Sequence, residues 1–584
     1  MKAHILIISI FSIMWTTALS DGNIQKNNEL LNPKIYKKNR FYTYQEVRNI
    51  IKSLKRMYPS ISSIDTIGYS ILGNPIWLFR ISGKNNTDSK QRFFLNGAMH
   101  GNEKMGTEIV LSISRYLLGN YHQNQDIKDI IDRSEILLVP VLNPDGYMSH
   151  IRWLSTGDDP NRSFGWQLNF SGSKRICHPF NSPEIRAYRR ILLDSPWYAS
   201  FDYHTGIVGL FVPWMCSSKQ LPDRSEYEKI SEVYNLDSSD DFSLSRGNKG
   251  ESIDYSYAKY GTMSFLPEVH RSQDSVPPDD YTQIIEKNIR SFISVVKEMQ
   301  KGIKGKVIDA ESGSPVFARI EVKNNGSSVY TDHKSGSFYK YICEPSGIYE
   351  INVSANGYET RTVRIDARIS GFTTADIELF SNPKKKYAAI SVDAIRVSDD
   401  LSYSEYSSIL GMHDSVGIPL HSNGFNRSFI TVDMGPSTII TDREGFDFTV
   451  YSNNNDTYYV SVVNSIDGFF ENTSIIGTGR GTTSFDLENC SLDSARYVQI
   501  SSMGECPIID AVECEPRYIP PAFAVTDTDT YSLKKIISSI NTDSTEMDNH
   551  ILISGEEESA KSPNSQTSTI QQKKDITNLE VPSF

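Results

Sequence analysis

A strand-like stretch, Arg92 to Leu95, runs into Asn96-Gly97-Ala98-Met99-His100-Gly101-Asn102-Glu103, and a helix-like stretch, Thr107 to Leu118, follows. A His and a carboxylate three residues apart at the mouth of a strand can turn onto one divalent ion. Imidazole nitrogen and carboxylate oxygen suit zinc, and a catalytic zinc needs only three protein ligands, leaving one position open. His204, in Phe201-Asp202-Tyr203-His204-Thr205-Gly206, is the candidate third ligand. A single His at a strand end is ordinarily a satisfied core residue. Here it is accompanied by Asp159-Pro160-Asn161-Arg162, by Glu268, and by Asn143-Pro144-Asp145-Gly146, which reads chiefly as a turn that shapes the surrounding chain.

The flanking pattern supplies elements to hold these residues. Val47, Ile50, Ile51, Leu54 and Met57 share one face of a helix predicted over Tyr44 to Tyr58, which Pro59 stops. Short β-rich runs follow at Ile64 to Tyr69, Ile76 to Ile81 and Phe93 to Leu95. After the helix beyond Gly106 come a strand at Ile136 to Leu142, a helix at Pro183 to Leu193, strands at Tyr198 to His204 and Met263 to Val269, and an amphipathic helix at Asp280 to Met299. Strands alternating with helices predict an α/β domain with a mixed, largely buried sheet flanked by helices.

These residues, in this order, resemble the zinc metallocarboxypeptidases, or funnelins, over about 41–301. The His-Gly-Asn-Glu form matches the regulatory branch, which carries a transthyretin-like β-sandwich directly after the catalytic domain. The resemblance implies that His100, Glu103 and His204 hold one Zn²⁺ per catalytic domain. It implies that Asp159 accepts a hydrogen bond from the ring of His100 and so fixes its tautomer. Asn161 and Arg162 would grip the α-carboxylate of the last residue of a peptide, a task suited to the planar guanidinium fork. Arg152 would stabilise the negative charge that develops on the scissile carbonyl, and Glu268 would be the general base. A site that recognises a free terminal carboxylate makes an exopeptidase, with peptide or protein C-termini as substrates.

Three positions depart from the family pattern or set its specificity. Arg246 stands where the family has a mobile Tyr, either as a second cationic clamp or as an unrelated loop residue. Met215 falls where basic-specific relatives carry Asp, and Ile253 falls at the position that faces the last side chain. Lys⁺ buried against Met215 and Ile253 would lack a counter-charge. Neutral or hydrophobic C-terminal residues are therefore expected over Lys or Arg. A catalytically silent binding protein and a zinc amidohydrolase acting on non-standard peptides are the alternative readings.

The rest of the chain bounds its context. A length of 584 residues implies several domains, and a net charge of −12 leaves no basic footprint for nucleic acid. Residues 1–20 read as a signal peptide, with Lys2, the apolar run Ile5 to Trp15 and the small-residue site Ala18-Leu19-Ser20. No other segment reads as a membrane span. The protein is thus expected to be secreted or lumenal, and its six Cys and several Asn-X-Ser/Thr sequons agree with that route, pairing of the Cys being open. Residues 303–380 read as the transthyretin-like β-sandwich. Residues 387–517 are all-β and are similar either to galactose-binding-like jelly rolls, implying a glycan or cell-surface ligand, or to a generic β-sandwich. The polar composition of 524–584 predicts a disordered tail.

Overall fold

The computed structural model describes residues 40–516, apart from 84–89, 168–178, 236–243, 246–248, 274–275, 324, 346, 368–370, 400, 422–426, 437 and 465–473. The expected leader 1–20, the expected tail 524–584 and Arg246 lie outside the described residues.

The first helix, α1 (Tyr44–Met57), starts at Thr43 in a capping box. The Thr43 hydroxyl accepts from the Glu46 N–H, and Glu46 accepts in return from the Thr43 N–H at 2.8 Å. Val47, Ile50, Ile51 and Leu54 are its buried face. Eight strands then build one mixed sheet: β1 (Ser62–Tyr69), β2 (Pro75–Ser82), β3 (Gln91–Asn96), β4 (Ser134–Val139), β5 (Ala199–Asp202), β6 (Val208–Phe211), β7 (Leu244–Ser245) and β8 (Met263–Val269), in the order β1-β2-β4-β3-β5-β8-β6-β7. The centre is parallel, with Asn96 beside Asp202 and Phe201 beside Phe265. The helices are α2 (Lys104–Asn120), α3 (Gln125–Arg133), α4 (Pro144–Ser149), α5 (Pro183–Asp194), α6 (Arg224–Asn235), α7 (Ser252–Tyr260) and α8 (Pro278–Glu298).

β3 shows why the sheet is covered on both faces. Successive side chains of a strand point to opposite faces. Phe93 meets Phe292 of α8 edge-on, whereas Phe94 meets Tyr188 of α5 edge-on and stacks on Trp197 at 3.9 Å. Each such ring removed from water contributes roughly 1.5–3 kcal/mol. The strand expected to run to Leu142 ends at Val139, and the structure adds α3, α4, α6, α7, β6 and β7 to the elements read from the sequence.

Residues 302–379 form two four-stranded sheets over one apolar core that includes Ile303, Val307, Ile320, Phe338 and Ile351. Residues 387–514 form two five-stranded sheets, a two-stranded pair (Ile440–Thr441 with Ser494–Ala495) and a short helix, Tyr403–Ser407. The core of this last region is continuous with that of the α/β region, so that Val392, Ile395 and Tyr406 belong to the same buried cluster as Trp166 and Tyr255. No helix among the described residues is long and apolar enough to cross a membrane.

Candidate active site

Ligand-bearing loops of open α/β sheets leave the carboxyl ends of parallel strands. His100 follows β3, His204 follows β5, and Glu268 lies near the end of β8, the strand beside β5. The turn out of β3 places Ala98 in the left-handed region at φ 46°. Gly101 then presses against Gly146 so closely that a Cβ would overlap the Gly146 backbone. The Asn143-Pro144-Asp145-Gly146 segment is the start of α4. Asn143 Oδ1 accepts from the Gly146 N–H at 2.9 Å, and its Nδ2 donates to the Trp153 carbonyl at 3.1 Å.

The three expected ligands converge, all buried, with one donor atom from each lying within 4.8 Å of the others. Glu103 reaches His100 Nδ1 through Oε1 and His204 Nδ1 through Oε2, each at 2.9 Å, and the two Nδ1 atoms are 3.1 Å apart. Two ring nitrogens facing each other across a carboxylate cannot both be protonated without repulsion, and a cation between them satisfies both lone pairs and the carboxylate. The electrostatics agree. Burial pushes the Glu103 carboxyl up, but His100 and His204 outweigh it and hold the group below the usual carboxylate range. Burial pulls His204 down, but Glu103 overcomes it and lifts the imidazole to about 9. The cluster is built to hold positive charge, and its donors fit zinc.

Asp159 sits behind this cluster. Its Oδ1 is 3.0 Å from His100 Nε2 and accepts from the Asn161 N–H at 2.9 Å, while Oδ2 accepts from Arg152 Nη2 at 2.8 Å. Arg152 Nη1 also donates to Glu103 Oε1 at 3.1 Å, which puts this guanidinium at the edge of the ligand set. Asn161 and Arg162 lie on the short turn Pro160–Arg162 and dock on the start of α7. Ser252 N–H donates to Asn161 Oδ1 at 3.0 Å, and Arg162 Nη1 pairs with Glu251 Oε1 at 3.0 Å. Asn161 is only 2% exposed, so the sequon formed by Asn161, Arg162 and Ser163 is shielded in the folded protein.

The backbones of Glu268 and His204 pair in an isolated parallel β-bridge, and Glu268 Oε2 is buried without a hydrogen-bond partner among the described residues. Burial, the largest influence, raises the Glu268 carboxyl to about 6. Met215 and Ile253 meet in one small apolar cluster with Phe211 and Leu266. Arg246 falls outside the described residues.

Four contributors have no motif to mark them. Gln273 Nε2 approaches Glu103 Oε1 at 3.4 Å, and the Thr205 N–H donates to Glu103 Oε2 at 3.1 Å. Glu251 orients Arg162. Asp254 accepts from the Met215 and Cys216 N–H groups at 2.8 and 2.9 Å and so fixes the loop beside Ile253. Burial lifts its carboxyl to about 7.

Fold and donor set together define an α/β protein with a His-Glu-His group, able to hold a divalent metal ion, at the ends of its parallel strands. Residues 47–291 match the family described as zinc carboxypeptidase, and the chain carries a domain of that family. Carboxypeptidase D of Mus musculus is 26% identical over 387 residues, which cover 60% of this chain and 27% of that protein. The chain thus spans about a quarter of that relative's length. Carboxypeptidase M of Mus musculus is 23% identical over 361 residues, covering 56% of this chain and 80% of that one. The solved carboxypeptidase A from Helicoverpa armigera aligns at a TM-score of 0.40 with 18% identity, over 47% of this chain and 80% of that one.

Proposed function

We propose that the protein is a secreted zinc carboxypeptidase that hydrolyses the last peptide bond of peptides or proteins and prefers neutral or hydrophobic C-terminal residues. The observation that carries this reading is the buried convergence of His100, Glu103 and His204, with Glu268 on the strand paired to His204 and its Oε2 buried. Zinc, when bound, supplies Lewis acidity that polarises a carbonyl and acidifies water.

The chain's own residues supply the rest. Arg162, steadied by Glu251, and Asn161 hold the terminal carboxylate of the substrate. Glu268 takes a proton from the attacking water as its oxygen bonds to the scissile carbonyl carbon. The same proton passes to the leaving amine as the C–N bond breaks. A carboxyl raised to about 6 suits both directions of transfer. Arg152 offers a fixed positive charge at the rim of the ligand set, where charge develops on the carbonyl oxygen. The last side chain enters the space bounded by Met215 and Ile253. In this reading the catalytic domain spans 41–301, followed by a transthyretin-like sandwich at 303–380 and a jelly-roll-like domain at 387–517.

Release of the last residue from blocked dipeptides ending in Phe or Arg, with and without a zinc chelator and with Glu268→Gln, tests this. Chelator-sensitive release of Phe that disappears in the variant is expected. Zinc bound at one equivalent with neither peptide cleaved would overturn it in favour of a silent binding protein or an amidohydrolase.

A further inference from the structure

The region 387–514 does more than follow the catalytic fold. Its strand Ser391–Arg396 lies directly against the loop that leaves Arg162. The Ile395 N–H donates to the Gly165 carbonyl at 2.7 Å. A Cβ on Gly165 would stand 2.7 Å from the Asp393 carbonyl oxygen and 2.9 Å from Ala394 Cβ, so only glycine admits so close an approach. The contact is pinned by buried charge. Asp393 pairs with Arg189 of α5 and with Lys259 of α7, and accepts from Tyr255 at 3.2 Å.

A second contact reaches the segment that bears Met215. Trp166, in the same loop, stacks on Trp214 with ring centroids 5.5 Å apart. Tyr406, from the helix Tyr403–Ser407, meets Trp166 edge-on at 4.5 Å and Trp214 edge-on at 5.8 Å. Trp214 immediately precedes Met215, whose side chain belongs to the apolar cluster with Ile253. One aromatic ring from the 387–514 region therefore wedges the segment bearing Arg162 and the segment bearing Met215 into fixed positions. Surface loops left without such support are mobile, and a substrate must then order them at a cost in affinity.

We propose that the 387–514 region is a built-in buttress for the substrate-binding segments, with Tyr406 as a positioning residue that sets affinity for the terminal carboxylate and the last side chain. This rests on the carboxypeptidase reading. Tyr406 touches no reacting atom, so its removal weakens substrate binding and spares the proton transfers of Glu268.

The experiment uses the full chain and a peptide ending in Phe. Tyr406→Ala is expected to raise KM about tenfold while kcat stays within about twofold, the size of change that losing two edge-to-face contacts produces. Tyr406→Phe, which keeps the ring, restores the KM. Calorimetric binding of the same peptide to a Glu268→Gln background is expected to weaken in parallel, and a C-terminally amidated peptide to bind weakly throughout. If Tyr406→Ala does not fold, Tyr406→Leu is used, with a KM rise of about threefold expected. An unchanged KM in the folded variant, or a fall in kcat without a KM change, overturns the inference. If the unmodified protein neither cleaves the peptide nor binds its free carboxylate, it is the carboxypeptidase reading that fails.

Discussion

His100 Nε2 and Asp159 Oδ1 lie 3.0 Å apart, on the side of the imidazole ring away from Glu103. That hydrogen bond assigns the ring proton to Nε2 and leaves the Nδ1 lone pair directed at Glu103 and His204. Partners of this kind orient a ligating His and raise its basicity. Asp159→Asn keeps the shape but loses the charge, and zinc affinity is expected to fall about tenfold. Competition against a chromophoric chelator measures it. Unchanged affinity would mean that the ring is oriented by packing alone.

Glu268 accepts a proton only as the carboxylate. Its carboxyl is raised by burial to about 6, so it becomes protonated as pH falls through that value. kcat/KM is therefore expected to be level above about pH 7 and to drop by about tenfold per pH unit well below pH 6. Glu268→Gln removes the proton acceptor and is expected to cost about a hundred- to ten-thousandfold in kcat at any pH. A pH–rate profile with no acidic limb between 5 and 7, read as roughly the span of the titration, would assign the base elsewhere.

The convergence of His100, Glu103 and His204 was legible because these residues sit at strand ends. The runs through Phe93, Phe201 and Phe265 are largely apolar, and each leads to a polar residue at or one before its strand's end, Asn96, Asp202 and Glu268. α7 escaped because every one of its nine residues is buried, so no polar face marks a helical period. α3 carried a signal that is easily passed over: Ile127, Ile130 and Ile131 at helical spacing, capped by Asn124. The seam with the 387–514 region is invisible in the sequence. Lys259 and Arg189 look like ordinary solvated charges, and their carboxylate partner Asp393 lies far along the chain. Asp254 shows the converse problem. Beside Ile253 it resembles a specificity acid, yet its two oxygens are taken by the Met215 and Cys216 N–H groups.

The proposed preference for neutral C-terminal residues rests on the same region. Phe211, Met215, Ile253 and Leu266 offer no counter-charge to a buried cation. A peptide ending in Phe is expected to be cleaved about a hundredfold more efficiently than one ending in Arg, the penalty for burying an unpaired charge being several kcal/mol. Ile253→Asp introduces the missing anion and is expected to reverse the order. Persistence of Phe preference in that variant, measured as the ratio of kcat/KM values, would place the pocket elsewhere.

Arg246 stands in the carboxypeptidase reading as a second clamp on the terminal carboxylate. Arg246→Ala is expected to raise KM about tenfold, as loss of a charge-assisted hydrogen bond does. A KM that does not move would make it an ordinary loop residue.

The charges between α7 and the 387–514 region yield a stability prediction with an unusual order. Three cations, Arg189, Lys259 and Arg496, share two anions, Asp393 and Asp433. Lys259 is fully buried. Replacing it as Lys259→Met leaves Arg189 on Asp393 and Arg496 on Asp433, a balanced set with an apolar chain of similar length in the gap. Asp393→Asn instead leaves Arg189 without its carboxylate and Lys259 with only Asp433. Breaking a buried pair by removing one partner costs about 3–5 kcal/mol, whereas an apolar replacement of similar volume is often close to neutral. Denaturant unfolding is therefore expected to find Asp393→Asn destabilised by about 3 kcal/mol or more and Lys259→Met by about 1 kcal/mol or less. Equal losses in the two variants would show that the seam is held by packing around Tyr255 and Trp166 rather than by this charge balance.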